Sequence, residues 1–378
     1  MSQQVTLIAT SAMGLESIVA NEVRNLGYEP KVDNGKITFE ADVSAIPRCN
    51  LWLRVADRVK VVVGEGKVET FDELFEMTKD LPWEKYIPED GAFPVVGKSH
   101  QSKLFSVSDC QAIVKKAIVD RLKLKHGVAY RMPETGATYK VEIAIVKDVA
   151  TLTIDTTGVG LHKRGYRFEQ GEAPLKETLA AALVMLTNWQ PDEMLIDPFC
   201  GSGTIPIEAA LIGQNIAPGF NRSFVSEEWD FIPNVKWEEA YEEAEQLANY
   251  DQLLKIVGSD INHKMIEISQ KNALEAGLSD LITWKQMNLK DLSIKEENGY
   301  LIGNPPYGER MKDTDYVVHL YETLGNKMRK HESWSVYILT SYKNFEKVYG
   351  KKATKRRKLF NGFIETQYYQ YFGKKVKR

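Results

Sequence analysis

The chain has 378 residues, with 49 Lys and Arg against 52 Asp and Glu and a formal net charge of -3. Two or three domains are expected, and no whole-molecule field draws it to nucleic acid. Three widely spaced cysteines and six scattered histidines lack disulfide or metal-ligand spacing, so free thiols and no metal site are predicted. The opening MSQQVTLIATSAMGLESIVANEV has neither a basic n-region nor a continuous apolar core, and no run approaches the roughly 20 apolar residues of a membrane span, so a soluble cytoplasmic protein is expected.

VTLIAT, LESIVANEVRNLG and KITFEA read as strand, helix and strand, with Gly27 stopping the helix and Asn34-Gly35 marking a turn. LWLRVADRVKVVVGEG reads as a helix followed by a β-branched strand. FDELFEMTKDLPW then has helical periodicity up to Pro82. From about residue 92 a second small α+β unit follows: AFPVVGKSH, the helix SVSDCQAIVKKAIVDRLKLKHG, and a strand pair turning at Lys147-Asp148. Boundaries of 1–66 and 67–157 are predicted for these units. The glycine-rich, basic stretch GVGLHKRGYRFEQGEAP at 158–174 reads as a linker.

Residues 175–378 are organised differently. KETLAAALVMLTNW, MLIDPF, GTIPIEAALIG, KIVGSD, HKMIEISQKNALEAG, LITWKQMN, GYLIGN, VVHLYETLGNKMRKH and SVYILTS mostly alternate helix and strand, the pattern of a parallel doubly wound sheet. KLFNGFIETQYYQYF reads as a closing hairpin. The acidic WEEAYEEAEQLANYDQ reads as a surface helix within a long insertion between the first two strands.

In MLIDPFCGSGTIPIEAA a strand ends at Asp197, a glycine loop follows and a helix begins, the place where an open α/β sheet binds a nucleotide-like ligand. Gly201 and Gly203 would let backbone approach that ligand. Pro206 stands where a dinucleotide fingerprint needs its third glycine, and Thr204-Ile205 replaces the Lys-Ser/Thr of a phosphate loop. Gly97-Lys98-Ser99 fails the phosphate-loop spacing. An acidic strand end suits a cationic ligand such as S-adenosylmethionine. Asp260, ending the second strand in KIVGSDIN, could accept both ribose hydroxyls or could merely cap the next helix. Asn288 could meet an adenine ring or serve only as a turn residue.

The fourth strand ends in YLIGNPPYGER, where two prolines stop the ladder and fix the chain at Asn304-Pro305-Pro306-Tyr307. Taken with the glycine loop and Asp260, this resembles a class I S-adenosylmethionine-dependent methyltransferase acting on amino groups. LHKRGYR followed by APLKETLAAAL is similar to bacterial THUMP-domain RNA methyltransferases of the branch acting on guanine N2 in large-subunit (23S) ribosomal RNA. The resemblance covers essentially the whole chain. It implies ferredoxin-like and THUMP domains before a seven-stranded, mostly parallel methyltransferase domain, and a helix at Lys176, Glu177 and Thr178 closing over the cofactor. It further implies that S-adenosylmethionine is held by Thr178, Asp197, Pro198, Phe199, Cys200, Gly201, Ser202, Gly203, Thr204, Asp260, Ile261, Asn288 and Asn304. Asn288 departs from the Asp that many methyltransferases use.

In the predicted chemistry, the Asn304 side-chain oxygen and the Pro305 carbonyl accept the two hydrogens of an exocyclic amine. Its lone pair then faces the sulfonium methyl, Pro306 stiffens the loop, and Tyr307 stacks on the base. RNA would be drawn by His162, Lys163, Arg164 and Arg167 in the linker and by Lys355, Arg356 and Arg357 in KKATKRRK, with Lys98 and Lys103 as weaker contributors. Adenine N6 methylation of RNA or DNA is the nearest alternative. A noncatalytic RNA-binding or ribosome-assembly protein is a second, and a nicotinamide oxidoreductase is weakest because of Pro206.

Overall fold

The computed structural model describes residues 3–129, 132–167, 175–308 and 314–374. They form two compact units. One comprises residues up to Ser11, Ala20–Leu161 and Ser223–Glu243; the other comprises Ala12–Val19, His162–Arg222 and Ala244 onward.

The first unit contains β1 (Gln4–Thr10), most of α1 (Glu16–Asn25), β2 (Lys31–Asp33), β3 (Lys36–Asp42), α2 (Ala45–Trp52) and β4 (Arg58–Lys67). It continues through α3 (Phe71–Asp80), β5 (Val95–His100), α4 (Val107–His126), β6 (Val141–Val146) and β7 (Val149–Asp155). The predicted helices and strands are present, but the two small units are not separate sheets. β4 pairs with β7, which joins all seven strands in the order β2-β3-β1-β4-β7-β6-β5. Local chemistry sets the element ends. Thr70 and Glu73 form a reciprocal capping box that starts α3. Lys147 and Asp148 both take positive φ, 53° and 62°, the twist a two-residue hairpin loop requires.

The second unit contains α5 (Glu177–Met185), β8 (Met194–Asp197), α6 (Thr204–Gly213), then, beyond the insertion with α7 (Asn234–Leu247), β9 (Lys255–Asp260), α8 (His263–Glu275) and β10 (Ile282–Gln286). β11 (Tyr300–Gly303), α9 (Thr314–Met328), β12 (Ser335–Thr340), α10 (Phe345–Tyr349), β13 (Lys355–Asn361) and β14 (Ile364–Tyr371) complete it. The strand order is β10-β9-β8-β11-β12-β14-β13. The first five run parallel, and the closing hairpin is antiparallel. The order reverses between β8 and β11, opening a crevice at their carboxyl ends. Beneath it lies an apolar core that includes Ile196, Leu301, Tyr321, Ile338 and Phe345.

The acidic stretch forms the expected helix, α7, with Glu238, Glu239, Glu242 and Glu245 exposed, but the insertion that contains it is not confined to the surface. Ser223–Glu243 belongs to the first unit. Trp229 is 1% exposed, stacks on Tyr139 at 4.8 Å between ring centroids and donates its Nε1–H to the Thr138 carbonyl. Ser226 donates to the Thr156 carbonyl, and Arg48 makes a two-pronged pair with Glu243 at 2.6 and 2.7 Å. Charge density on one face of α7 hid an apolar face containing Trp237, Ala240 and Ala244.

Candidate active site

The carboxyl ends of β8, β9, β10 and β11 open onto one cavity of about 740 Å³. Asp197 through Ser202, Thr204, Asp260, Ile261, Asn288 and Asn304 through Tyr307 all line it. Residues distant in sequence are assembled because four neighbouring strands end on one edge.

The glycine loop divides its work. Gly201 has φ +51°, and no atom lies within 4 Å of where a Cβ would stand, so its backbone can be approached. Gly203 does not line the cavity. Its φ is +86°, and a Cβ there would meet Trp284 at 2.7 Å and Ser269 at 2.8 Å; close packing, not ligand approach, requires this glycine.

Asp197 is 1% exposed and its Oδ1 accepts the Phe199 N–H at 3.0 Å. Burial, with Asp260 nearby, pushes its carboxyl up to about 8, against that hydrogen bond. The acidic group that meets solvent at this edge is therefore Asp260. Its Oδ2 accepts the Gly201 N–H at 3.1 Å and its Oδ1 the Asn262 N–H at 2.8 Å. The helix-cap alternative for Asp260 is excluded, because Asn262 caps α8 by accepting the Lys264 N–H. Asn288 accepts the Lys290 N–H at 3.0 Å, so it is a turn residue and also lines the cavity. Burial pushes the Cys200 thiol well above its ordinary value, which leaves it unreactive.

The segment at Asn304 is held from below and from the side. Tyr321 on α9 donates to the Pro306 carbonyl at 2.7 Å and shares a second bond, 2.8 Å, with Thr340 at the end of β12. Tyr307 does not stand ready as a stacking platform. Its hydroxyl donates to the Asn304 Oδ1 at 2.6 Å and receives the Asn361 Nδ2–H at 3.2 Å. Tyr321 and Asn361 were not foreseen, since the first reads as helix core and the second as a turn residue.

The linker cations are placed differently from expectation. Arg164, 3% exposed, faces the fully buried Glu208 of α6 at 3.4 Å, and the Tyr166 hydroxyl donates to the same carboxyl at 2.9 Å. Arg167 bonds Glu177 at 2.7 Å, the Leu175 carbonyl at 2.9 Å, Thr204 at 3.2 Å and Ser202 at 3.3 Å. Neither guanidinium faces solvent as a phosphate contact must; Arg164 is turned to α6, and Arg167 braces the glycine loop against α5. Lys163 is exposed and His162 half-buried. Of the stretch 158–174 expected as a linker, residues 168–174 lie outside the described residues. Thr178 is buried on α5 and does not line the cavity, whereas Leu175 does. Lys176 is exposed, and Glu177 is buried against Arg167. Elsewhere Lys98 pairs with Glu142 and Lys103 with Glu69. Arg357 bonds Gly14 and Ser17, Arg356 pairs with Glu346 at 3.4 Å, and Lys355 is exposed.

A family model described as the RMKL-like methyltransferase domain matches residues 164–370. The chain belongs to that family. The RlmL ferredoxin-like domain matches 6–60 and the THUMP domain 68–155, so this member of the RMKL-like family carries both accessory domains ahead of its methyltransferase domain. It is 61% identical to YpsC of Bacillus subtilis (strain 168), whose name proposes an RNA methyltransferase, over 98% of this chain and 97% of that protein. It is 34% identical to the Ribosomal RNA large subunit methyltransferase K/L of Shewanella baltica (strain OS195), over 96% of this chain; the chain spans about half the length of that relative, 52%. Among solved structures, SMU.472, described as a methyltransferase complexed with SAH, superposes with a TM-score of 0.95 at 46% identity, covering 100% of each chain. A protein of Listeria monocytogenes described as an N6-adenine-specific DNA methylase superposes at 0.95 with 61% identity, covering 98% of this chain and 97% of that one. No described helix is long and apolar enough to cross a membrane.

Proposed function

We propose that this chain methylates an exocyclic base amine of RNA, with S-adenosylmethionine as methyl donor and guanine N2 of large-subunit ribosomal RNA as the target. The observation that carries the reading is the convergence, on one cavity, of Asn304 through Tyr307 with Asp197 through Ser202 and Asp260. The residues fit the donor. Gly201 offers open backbone, Asp260 keeps lone pairs beyond its two backbone bonds for ribose hydroxyls, and Ile261 and Leu289 supply apolar contact. Ile261 is 54% exposed, so that contact is available to a ring. When bound, S-adenosylmethionine supplies an electrophilic methyl group on a sulfonium.

The chain's own residues then prepare the nucleophile. An exocyclic amine has its lone pair delocalised into the ring, and two fixed acceptors that take its hydrogens localise that pair on nitrogen. The Asn304 Oδ1 and the Pro305 carbonyl are those acceptors. Prolines and the Tyr321 bond to Pro306 hold them still, so little reorganisation is spent in the transition state. Because Tyr307 occupies the Asn304 Oδ1, the incoming amine shares or displaces that bond, and the Asn361–Tyr307 contact directs where the phenol goes. The surplus proton leaves to solvent. The RNA target is supported by the THUMP domain and the K/L relative. The domain limits 1–66, 67–157 and 175–378 are part of the proposal.

Adenine N6 is the second reading, favoured by the name of the Listeria structure. Asn304→Ala is expected to lower methyl transfer to ribosomal RNA from a gene-deletion strain by about 10²- to 10³-fold, with S-adenosylmethionine affinity by calorimetry mostly retained. A fully active variant overturns the reading, and nucleoside mass spectrometry of the product separates guanine from adenine.

A further inference from the structure

The hairpin of β13 and β14 closes through a two-residue loop, Gly362-Phe363, since Asn361 and Ile364 form its last cross-strand pair. Gly362 has φ +62°, and Phe363 does not appear among the positive-φ residues; positive φ at the first central position alone is the requirement of a type II′ turn. The second position of such a turn accepts many residues, and polar ones are usual at an exposed tip. Here it is phenylalanine, 107% exposed. Leaving that ring in water forgoes the free energy of burial, and nothing in the turn's geometry demands an aromatic group there.

The tip is also next to the chemistry. Asn361 and Ile364, the residues on either side of the loop, both line the cavity with Asn304 and Tyr307, and Asn361 donates to the Tyr307 hydroxyl. The strand leading to the tip carries Lys355, Arg356 and Lys358 with exposed or largely exposed side chains, a charge pattern complementary to a phosphate backbone. The hairpin is stiffened across its width by the Lys358–Glu365 pair at 2.6 Å and the Thr366 bond to the Leu359 carbonyl.

A base reaches such a cavity only by leaving its stack, and its former neighbour then exposes a bare face. We propose that Phe363 stacks on the nucleobase flanking the target and so holds the strand open while the target occupies the cavity. The hairpin tip is thus an RNA-engaging element, with Phe363 as its contact and Asn361 linking the tip to Tyr307. This rests on the base-amine reading, and its test keeps the two apart.

The test compares the parent protein with Phe363→Ala, Phe363→Leu and Phe363→Trp on ribosomal RNA from the gene-deletion strain, reading KM and kcat for RNA, S-adenosylmethionine affinity and melting temperature. Stacking predicts that kcat/KM falls about tenfold or more in the Ala and Leu variants, mostly through KM, and is retained within about threefold in the Trp variant. Cofactor affinity and melting temperature stay at parent values in all three, since the ring touches solvent. Activity of the Ala variant within about twofold of the parent overturns the proposal, and so does equal activity of the Leu and Trp variants, because stacking requires a π-face. If the parent itself transfers no methyl group to RNA, the base-amine reading fails and this one falls with it.

Discussion

Asp197 carries a carboxyl that burial pushes up to about 8 from 3.8. At pH below both values the folded and unfolded chains alike hold the proton, and the group is neutral to stability. Between about 4 and 8 the native chain keeps a proton that the unfolded chain has released, so stability declines as pH rises, and above about 8 the penalty is complete. Asp197→Asn retains an acceptor for the Phe199 N–H and removes the titration. Its melting temperature relative to the parent is therefore expected to climb from about pH 4 to about 8 and then level off; a pH-independent difference would exclude the protonated state. Asp197 is a neutral, hydrogen-bonding end of β8 near neutral pH, which in the proposed function leaves the attraction of a cationic donor to Asp260.

At the scale of elements, the segment 162–167 and helix α6 form a buried ionic patch. Burial raises the Glu208 carboxyl although Arg164 opposes the shift, so desolvation outweighs the pair's attraction. Removing the Glu208 charge takes away the carboxylate that the buried Arg164 guanidinium faces. Glu208→Gln is expected to cost about 3–5 kcal/mol of stability, seen as a lowered denaturation midpoint, and a shift below about 1 kcal/mol would mean the guanidinium reaches water. A basic cluster in a sequence reads equally as a phosphate-binding surface or as one half of an internal pair. The partner here, Glu208, lies in an apolar helix, TIPIEAALIG, whose carboxylate has no other evident use. That was the available signal.

At the scale of the molecule, a piece of chain from within the methyltransferase sequence completes the first unit. The segment Ser223–Glu243 leaves between β8 and β9, and Trp229 fills a slot against Tyr139. Trp229→Ala removes the stack and the bond to Thr138, and a loss of about 3–5 kcal/mol is expected. Limited proteolysis reads this as faster cleavage within the first unit, while S-adenosylmethionine affinity stays unchanged. Equal cleavage rates would return the insertion to a surface role.

The sequence by itself determined the order of the main elements, though not the short β2 and α10, the parallel sheet with its closing hairpin, the turn at Lys147-Asp148 and the strand-end positions of Asp197, Asp260 and Asn304. Each of these follows from local causes: hydrophobic period, glycine and proline, and the rule that ligands gather at strand ends. Only the tertiary structure decided which cations are buried, that Gly203 is closely packed while Gly201 borders open space, that Tyr307 bonds Asn304, and that seven amino-terminal strands share one sheet. Those outcomes depend on partners far away in sequence, Glu208 for Arg164, Trp284 for Gly203, Asn361 for Tyr307 and β7 for β4. A side chain's environment is set by what folds against it, and no local pattern records that.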